Sequence, residues 1–168
     1  MGNRYKDHRQ SRQRSIEESE VYLEEKFLKT KEYLKKHPHS GSAANELYYH
    51  YFYKGKFLDH LIELVFSDNI DLVRTALAML SDIGYMLLQP SDVINLLSKY
   101  EDSTIITRLI DYARKCKLSV DEVLIVLNYL HSDDKYINNI AMRFLHGLSP
   151  DLLEQVKHRL DKSESRNL

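Results

Sequence analysis

Cysteine and histidine are the residue types of this 168-residue sequence that could most readily perform catalysis or bind a metal ion. Cys116 lies among basic residues, which can lower the pKa of a thiol and make it a nucleophile. His37 and His39 flank Pro38 and could contact a metal ion. However, no general base is linked to the cysteine in sequence, and the two histidines lack further ligands at a metal-binding spacing. The sequence therefore predicts no catalytic residue, no metal site and no cofactor.

The motifs of the common enzyme classes are also missing from the sequence. The five glycines are scattered, so no glycine-rich loop can hold a nucleotide phosphate. There is no Gly-x-Ser-x-Gly nucleophile elbow, no Cys-x-x-Cys pair and no His-Glu-x-x-His zinc motif. We therefore expect a chain that acts by binding and is not an enzyme.

Carboxylates recur at three predicted turns between helices. The pairs are Asp68 with Asp71, Glu101 with Asp102, and Asp133 with Asp134. If these turns stack, the six side chains form one negative ridge that would steer a basic partner. Aspartate at a helix start also caps the helix and interacts with its dipole. Capping alone, and capping combined with partner contact, both remain open.

Aromatic residues form the second candidate binding feature, the run from Tyr48 to Tyr53. On one helix, the buried face would be shared by Ala44, Leu47, Tyr48 and Tyr51. Tyr49 and Tyr53 would then point elsewhere. Exposed tyrosines are frequent anchors of protein interfaces. The alternative is that the long N-terminal helix packs over Tyr49 and Tyr53.

The elements that carry these residues are predicted to be helices throughout. Ser15 with Glu18, and Ser119 with Glu122, have the spacing of a capping box at a helix start. Ser149-Pro150 is a further start signal, since proline is tolerated in the first helical turn. No pair of alternating apolar segments is joined by a hairpin turn, so no sheet is expected. We expect a basic, disordered leader over residues 1–14, one helical domain over 15–161 and a disordered tail over 162–168.

Three segments share the same plan of an apolar helix, an acidic turn and a second amphipathic helix. Their turn aspartates, Asp68, Asp102 and Asp133, lie 34 and 31 residues apart and are predicted to be equivalent. Segment 58–84 resembles the HEAT/armadillo-like superfamily. The residues that carry the resemblance are Leu61, Leu64, Asp68, Val73, Arg74, Ala76, Ala78, Ile83 and Gly84. The resemblance implies an all-α fold, a short right-handed α-solenoid of helical hairpins with a long N-terminal helix. Segment 47–60 is also similar to a tetratricopeptide repeat, which is the second candidate for the fold.

Composition limits the location and the partner. A single cysteine excludes an internal disulfide, and no stretch approaches the ~20 apolar residues that cross a bilayer. With no secretory signal pattern in the sequence, a cytoplasmic location is expected. The net charge is −1, but the leader is basic and the rest of the chain is acidic. An acidic body argues for a basic protein partner and against nucleic acid, whose phosphates it would repel.

These observations predict a protein-binding module. The preferred interpretation is a cytosolic immunity or inhibitor protein that occludes a basic toxin or nuclease. A scaffold or adaptor that recruits an endogenous protein is the first alternative. A nucleic-acid binder similar to HEAT-like DNA glycosylases is the second, because Arg74, Arg108 and Arg143 are candidates for an inner face. The oligomeric state is left open.

Overall fold

The computed structural model describes the backbone of residues 4–164 and the side chains of residues 19–161. All elements within these residues are helical and no strand occurs among them, which confirms the predicted all-α class. The α-helices are α1 (Arg4–Lys36), α2 (Gly41–His50), α3 (Leu58–Val65), α4 (Ile70–Ile83), α5 (Pro90–Lys99), α6 (Ser103–Ala113), α7 (Val120–Leu127), α8 (Lys135–His146) and α9 (Pro150–Glu164). Short 3-10 turns follow α2 (Phe52–Lys54) and α7 (Asn128–His131).

The chain forms two compact units, unit 1 over residues 1–58 and unit 2 over residues 59–168. The division falls inside the segment that was predicted to be a single domain. The three acidic turns all belong to unit 2, as do the helices beside them, apart from Leu58, the first residue of α3.

The first helix of unit 1 differs from its predicted start. It begins at Arg4, so it includes most of the basic segment that was expected to be a disordered leader. Arginine, lysine and glutamine have high helix propensities, which allows the helix to extend through this segment. The predicted capping box of Ser15 and Glu18 lies outside the residues whose side chains are described. The end of α1 at Lys36, directly before His37-Pro38, is as predicted.

Phe27 of α1 is the centre of the unit 1 core. Its ring stacks on that of Phe57, with 4.3 Å between the centroids. The rings of Tyr51 and Phe52 meet it edge-on at 5.1 and 5.9 Å. Such aromatic pairs stabilise a core beyond the apolar area that they bury. This cluster holds the end of α2 and the following 3-10 turn against α1.

The helices of unit 2 pack in two rows. In one row α4 contacts α6, and α6 contacts α8; in the other, α5 contacts α7, and α7 contacts α9. The rows are joined because α5 packs on α6 and α7 on α8. Fully buried apolar side chains fill unit 2, among them Leu61, Val73, Ala76, Val93, Ile105, Leu109, Val123 and Ala141.

Local sequence signals set several of the helix boundaries in unit 2. The predicted capping box at Ser119 is present: its hydroxyl accepts from the Glu122 N–H at 3.4 Å, and the Glu122 carboxylate accepts from the Ser119 N–H at 2.7 Å. The apolar stretch that follows is helix α7, as predicted, and not a strand. Helix α4 ends at Ile83 and is capped by Gly84, whose φ of 73° lies in the left-handed region that is unfavourable for other residues. Pro150 occupies the first turn of α9, as predicted.

Candidate binding surface

The helices of one row of unit 2 begin with a polar capping residue. Asn69 accepts from the N–H groups of Asp71 and Leu72, and Asp102 accepts from that of Ile105. Asp134 caps α8 in the same way as Asn69 caps α4. Aspartate and asparagine are among the best N-cap residues, because their oxygens satisfy the free amides of the first helical turn.

The capping residues show that the three predicted turns were aligned incorrectly with one another. Asp68 and Asp133 were taken as equivalents of Asp102, whereas the capping residues are Asn69 and Asp134. The error is one residue in two of the turns. It arose because the aspartate was matched by type, although asparagine caps a helix equally well.

An ion pair joins the start of α6 to α4. The Nε and Nη2 of Arg74 donate to the two carboxylate oxygens of Asp102 at 3.2 and 2.5 Å. Its Nη1 donates to Asp71 at 2.7 Å. Paired N–H groups on both oxygens of one carboxylate are the geometry in which arginine binds carboxylate most strongly. Arg74 therefore holds the starts of two neighbouring helices together.

The starts of α6 and α8 lie beside each other. Ser103, the first residue of α6, lines the same groove as Asp134, the cap of α8, and its hydroxyl interacts favourably with the Asp134 carboxylate. Together with the Arg74–Asp102 pair, this contact brings the starts of α4, α6 and α8 next to one another. We call the six predicted carboxylates at these starts, Asp68, Asp71, Glu101, Asp102, Asp133 and Asp134, the acidic edge.

The electrostatics of the acidic edge keep its capping carboxylates ionised. The Arg74 guanidinium, aided by the Ile105 N–H, holds the pKa of Asp102 below its usual range. The hydroxyl of Ser103 and the backbone N–H of Tyr136 lower the pKa of Asp134. Hydrogen bonds and opposite charge stabilise the ionised form of a carboxyl group. Both groups are therefore charged at neutral pH.

The six carboxylates of the acidic edge are not equally available to a partner, which corrects the expectation of six equivalent negative charges. Asp71 and Asp102 share Arg74. Asp68 is fully exposed and lies 3.3 Å from the Lys99 Nζ, an exposed pair that is screened by solvent. Glu101 and Asp133 are exposed, and neither forms an ion pair within the described part of the chain.

A groove brings the available carboxylates together with two tyrosines. Glu101, Asp133 and Asp134 line it beside the rings of Tyr100 and Tyr129. The Tyr129 hydroxyl donates to the Leu97 carbonyl at 2.8 Å, and that of Tyr100 donates to the Ser67 carbonyl at 3.0 Å. These bonds join residues 32 and 33 positions apart. Tyr100 and Tyr129 were not predicted as binding residues, since a tyrosine at this spacing has no motif of its own.

The tyrosines of unit 1 agree in part with the first of the two predictions. Leu47 and Tyr51 are buried, whereas Tyr49 and Tyr53 are 59% and 60% exposed. Ala44 and Tyr48, which were also predicted to be buried, are only half-buried. Tyr48 lies between the two exposed tyrosines, with its ring centroid 4.7 Å from that of Tyr49 and 5.8 Å from that of Tyr53. The exposure of both rings excludes the alternative in which α1 covers them within unit 1.

The residues considered for chemistry gain no support as reactive groups. Burial raises the pKa of the Cys116 thiol, which is opposite to the lowering that the neighbouring basic residues could cause. The His37 ring packs on that of Tyr33 at 4.5 Å. Among the described side chains, no group of three or more histidines, cysteines or acids could hold a metal ion.

Comparisons with protein-family models, with curated proteins and with solved structures find no match to this chain. Within the described residues, none of the helices combines the length and the apolar character needed to cross a membrane.

Proposed function

We propose that this chain is a non-catalytic protein-binding module whose acidic edge docks on a basic protein, as an inhibitor that occludes a basic toxin or nuclease. The observation that carries the proposal is the link between three helix starts. Arg74 fixes the capping carboxylate Asp102, and Ser103 lies beside the capping carboxylate Asp134. Glu101 and Asp133 stay exposed and form no ion pair with any described residue. Such preorganised charge favours association with an oppositely charged surface.

We further propose that unit 2 is a short right-handed α-solenoid of HEAT-like hairpins. Three features support it: the two rows of successive helices, the caps at matching positions, and the tyrosine hydroxyl bonds between segments 32 and 33 residues apart. In such an arrangement, stacking of neighbouring hairpins buries the apolar faces that one hairpin cannot cover alone.

The groove next to the acidic edge gives the inhibitor a means of tight contact. Tyr100 and Tyr129 supply aromatic surface beside Glu101 and Asp133, and tyrosine is enriched at the centres of protein interfaces. A tight inhibitor of standard size would cover about 800 Å² on each partner. Tyr49 and Tyr53 in unit 1 offer a second exposed aromatic contact.

Affinity capture followed by an activity titration tests this proposal. The tagged full chain is used to capture proteins from its native cells, including the products of adjacent genes, and retained partners are identified by mass spectrometry. We expect one stoichiometric basic protein, and loss of its toxic or nuclease activity when an equal amount of the chain is added.

Two results would contradict the proposed inhibitor. Several substoichiometric proteins whose activities do not change would indicate an adaptor. Nucleic acid that is released by salt, with no stoichiometric protein, would indicate a nucleic-acid binder.

A further inference from the structure

A second groove of unit 2 lies between α6 and α8, and its charge is opposite to that of the acidic edge. Arg108 of α6 and Arg143 of α8 both line it, together with Thr104, Tyr136 and Asn139. No carboxylate is among its lining residues. We call it the arginine groove.

The two guanidinium groups of the arginine groove are not neutralised within the described part of the chain. Neither Arg108 nor Arg143 forms an ion pair there. Helix α8 contains no acidic residue, and the only acid of α6 is Asp111. The Asp111 carboxylate accepts from the Arg114 Nη1 at 2.9 Å, and so it is engaged elsewhere.

The other side chains of the arginine groove suit a peptide. The Tyr136 ring is 79% exposed, which leaves its face open to contact. Thr104 and Asn139 are also exposed and can donate or accept hydrogen bonds. Guanidinium groups beside an exposed aromatic ring and hydrogen-bonding side chains are the elements of a site that recognises carboxylates.

The arginine groove adjoins the acidic edge. Ser103 lines both this groove and the groove of Glu101, Asp133 and Asp134. A phosphate backbone that entered the arginine groove would continue past these carboxylates, where like charge opposes it. A protein segment, in contrast, can place an acidic side chain in the arginine groove and a basic side chain at the acidic edge.

We propose that the arginine groove binds an acidic segment of a protein, with its carboxylates on Arg108 and Arg143. The choice of a protein ligand rests on the proposed function, whereas the preference for anions rests on the groove itself. The partner would then carry an acidic segment beside its basic surface, and the two charges would fix its orientation on unit 2.

Binding of a short glutamate-rich peptide labelled with fluorescein tests the proposal by fluorescence anisotropy on the full chain. We expect salt-dependent binding that weakens about ten-fold or more in the double variant R108Q/R143Q, because two charge-assisted contacts are lost. The matched control K115Q/K117Q removes two positive charges from exposed positions between α6 and α7, neither of which forms an ion pair with a described residue, and it is expected to bind like wild type. Unchanged circular dichroism would show that both variants are folded.

The inference is overturned if R108Q/R143Q binds the peptide as wild type does, or if the control loses as much affinity. It is also overturned if oligothymidylate binds wild type more tightly than the peptide and depends on the same arginines. The charge reversal E101K/D133K distinguishes a failure of this inference from a failure of the proposed function. It should leave binding of the glutamate-rich peptide unchanged or stronger, whereas the proposed function requires it to weaken binding to the basic partner.

Discussion

At the scale of residues, Asp102 has two separable tasks at the acidic edge. It caps α6 through the Ile105 N–H, and it accepts from Arg74 of α4. The sequence indicates the first task, because an aspartate before an amphipathic helix is a capping signal. It does not indicate the second, since Arg74 is 28 residues away and no local pattern relates the two.

Substituting Asp102 separates the two tasks. Asp102→Ala removes both and should lower the free energy of unfolding by about 0.5–2 kcal/mol for the cap alone, with more from the lost pairing. Asp102→Asn retains a good capping residue and should lose less. Urea denaturation of wild type and both variants at neutral pH measures the difference.

The pH dependence of the Asp102→Asn effect is a second readout. Because Arg74 lowers the pKa of Asp102 in the folded state, its stabilisation is present above the unfolded pKa of about 3.9 and is lost as pH falls through the folded value. The difference in the free energy of unfolding between wild type and Asp102→Asn should therefore be largest at pH 7 and should disappear as the pH falls through that acidic range. A difference that stays the same across this range would show that the charge of Asp102 is not its cause.

The same scale shows why the acidic edge could be predicted only in part. Composition and spacing placed six carboxylates at three turns, and the structure links those turns through Arg74 and Ser103. Asp71 pairs with Arg74 of its own helix, whereas Asp102 and Asp68 are paired by Arg74 and Lys99 from neighbouring helices. The availability of Glu101 and Asp133 therefore follows from packing and not from a motif.

At the scale of elements, helix starts were easier to predict than the contacts between helices. The starts of α7 and α9 follow from Ser119 with Glu122 and from Ser149-Pro150, signals that act within a few residues. The start of α1 at Arg4 was missed, because a basic terminal segment was taken as disordered although its residues favour a helix. The hydrogen bonds between the hydroxyl groups of Tyr100, Tyr112 and Tyr129 and the backbone of other segments were not predicted either.

Tyr112 provides a test of how the segment before α5 is fixed to α6. Its buried hydroxyl accepts from the Leu88 N–H at 3.0 Å. Tyr112→Phe leaves that buried amide without an acceptor, and we expect a loss of about 1–3 kcal/mol in the free energy of unfolding, measured by urea denaturation. Tyr53→Phe removes a hydroxyl from an exposed ring and serves as the control, with little expected change.

Equal stability of Tyr112→Phe and Tyr53→Phe would contradict this account of the α5–α6 connection. It would mean that the Leu88 amide finds another acceptor without cost. A loss confined to Tyr112→Phe would support a hydrogen bond that positions the start of α5, the helix that leads to Tyr100 and Glu101.

At the scale of the whole molecule, charge distribution gives more information than net charge. A formal value of −1 suggests no preference for any partner. In unit 2, however, exposed carboxylates at the helix starts lie beside a groove with two arginines that lack ion pairs among the described residues.

The all-α class was predictable from helix signals throughout the chain. The division into two units was not, because no linker composition marks the chain near Leu58.

The most direct test of the central claim, that the acidic edge steers a basic protein, is the association rate constant of the captured partner as a function of salt. We compare wild type, E101K/D133K and the matched control D82K/E154K, which reverses two exposed acids elsewhere in unit 2. At low salt, E101K/D133K should associate about ten-fold or more slowly than wild type, with the gap narrowing as salt screens the charges. The control should stay close to wild type. Equal rates for wild type and E101K/D133K at low salt would contradict the claim and leave the acidic edge as a set of helix caps.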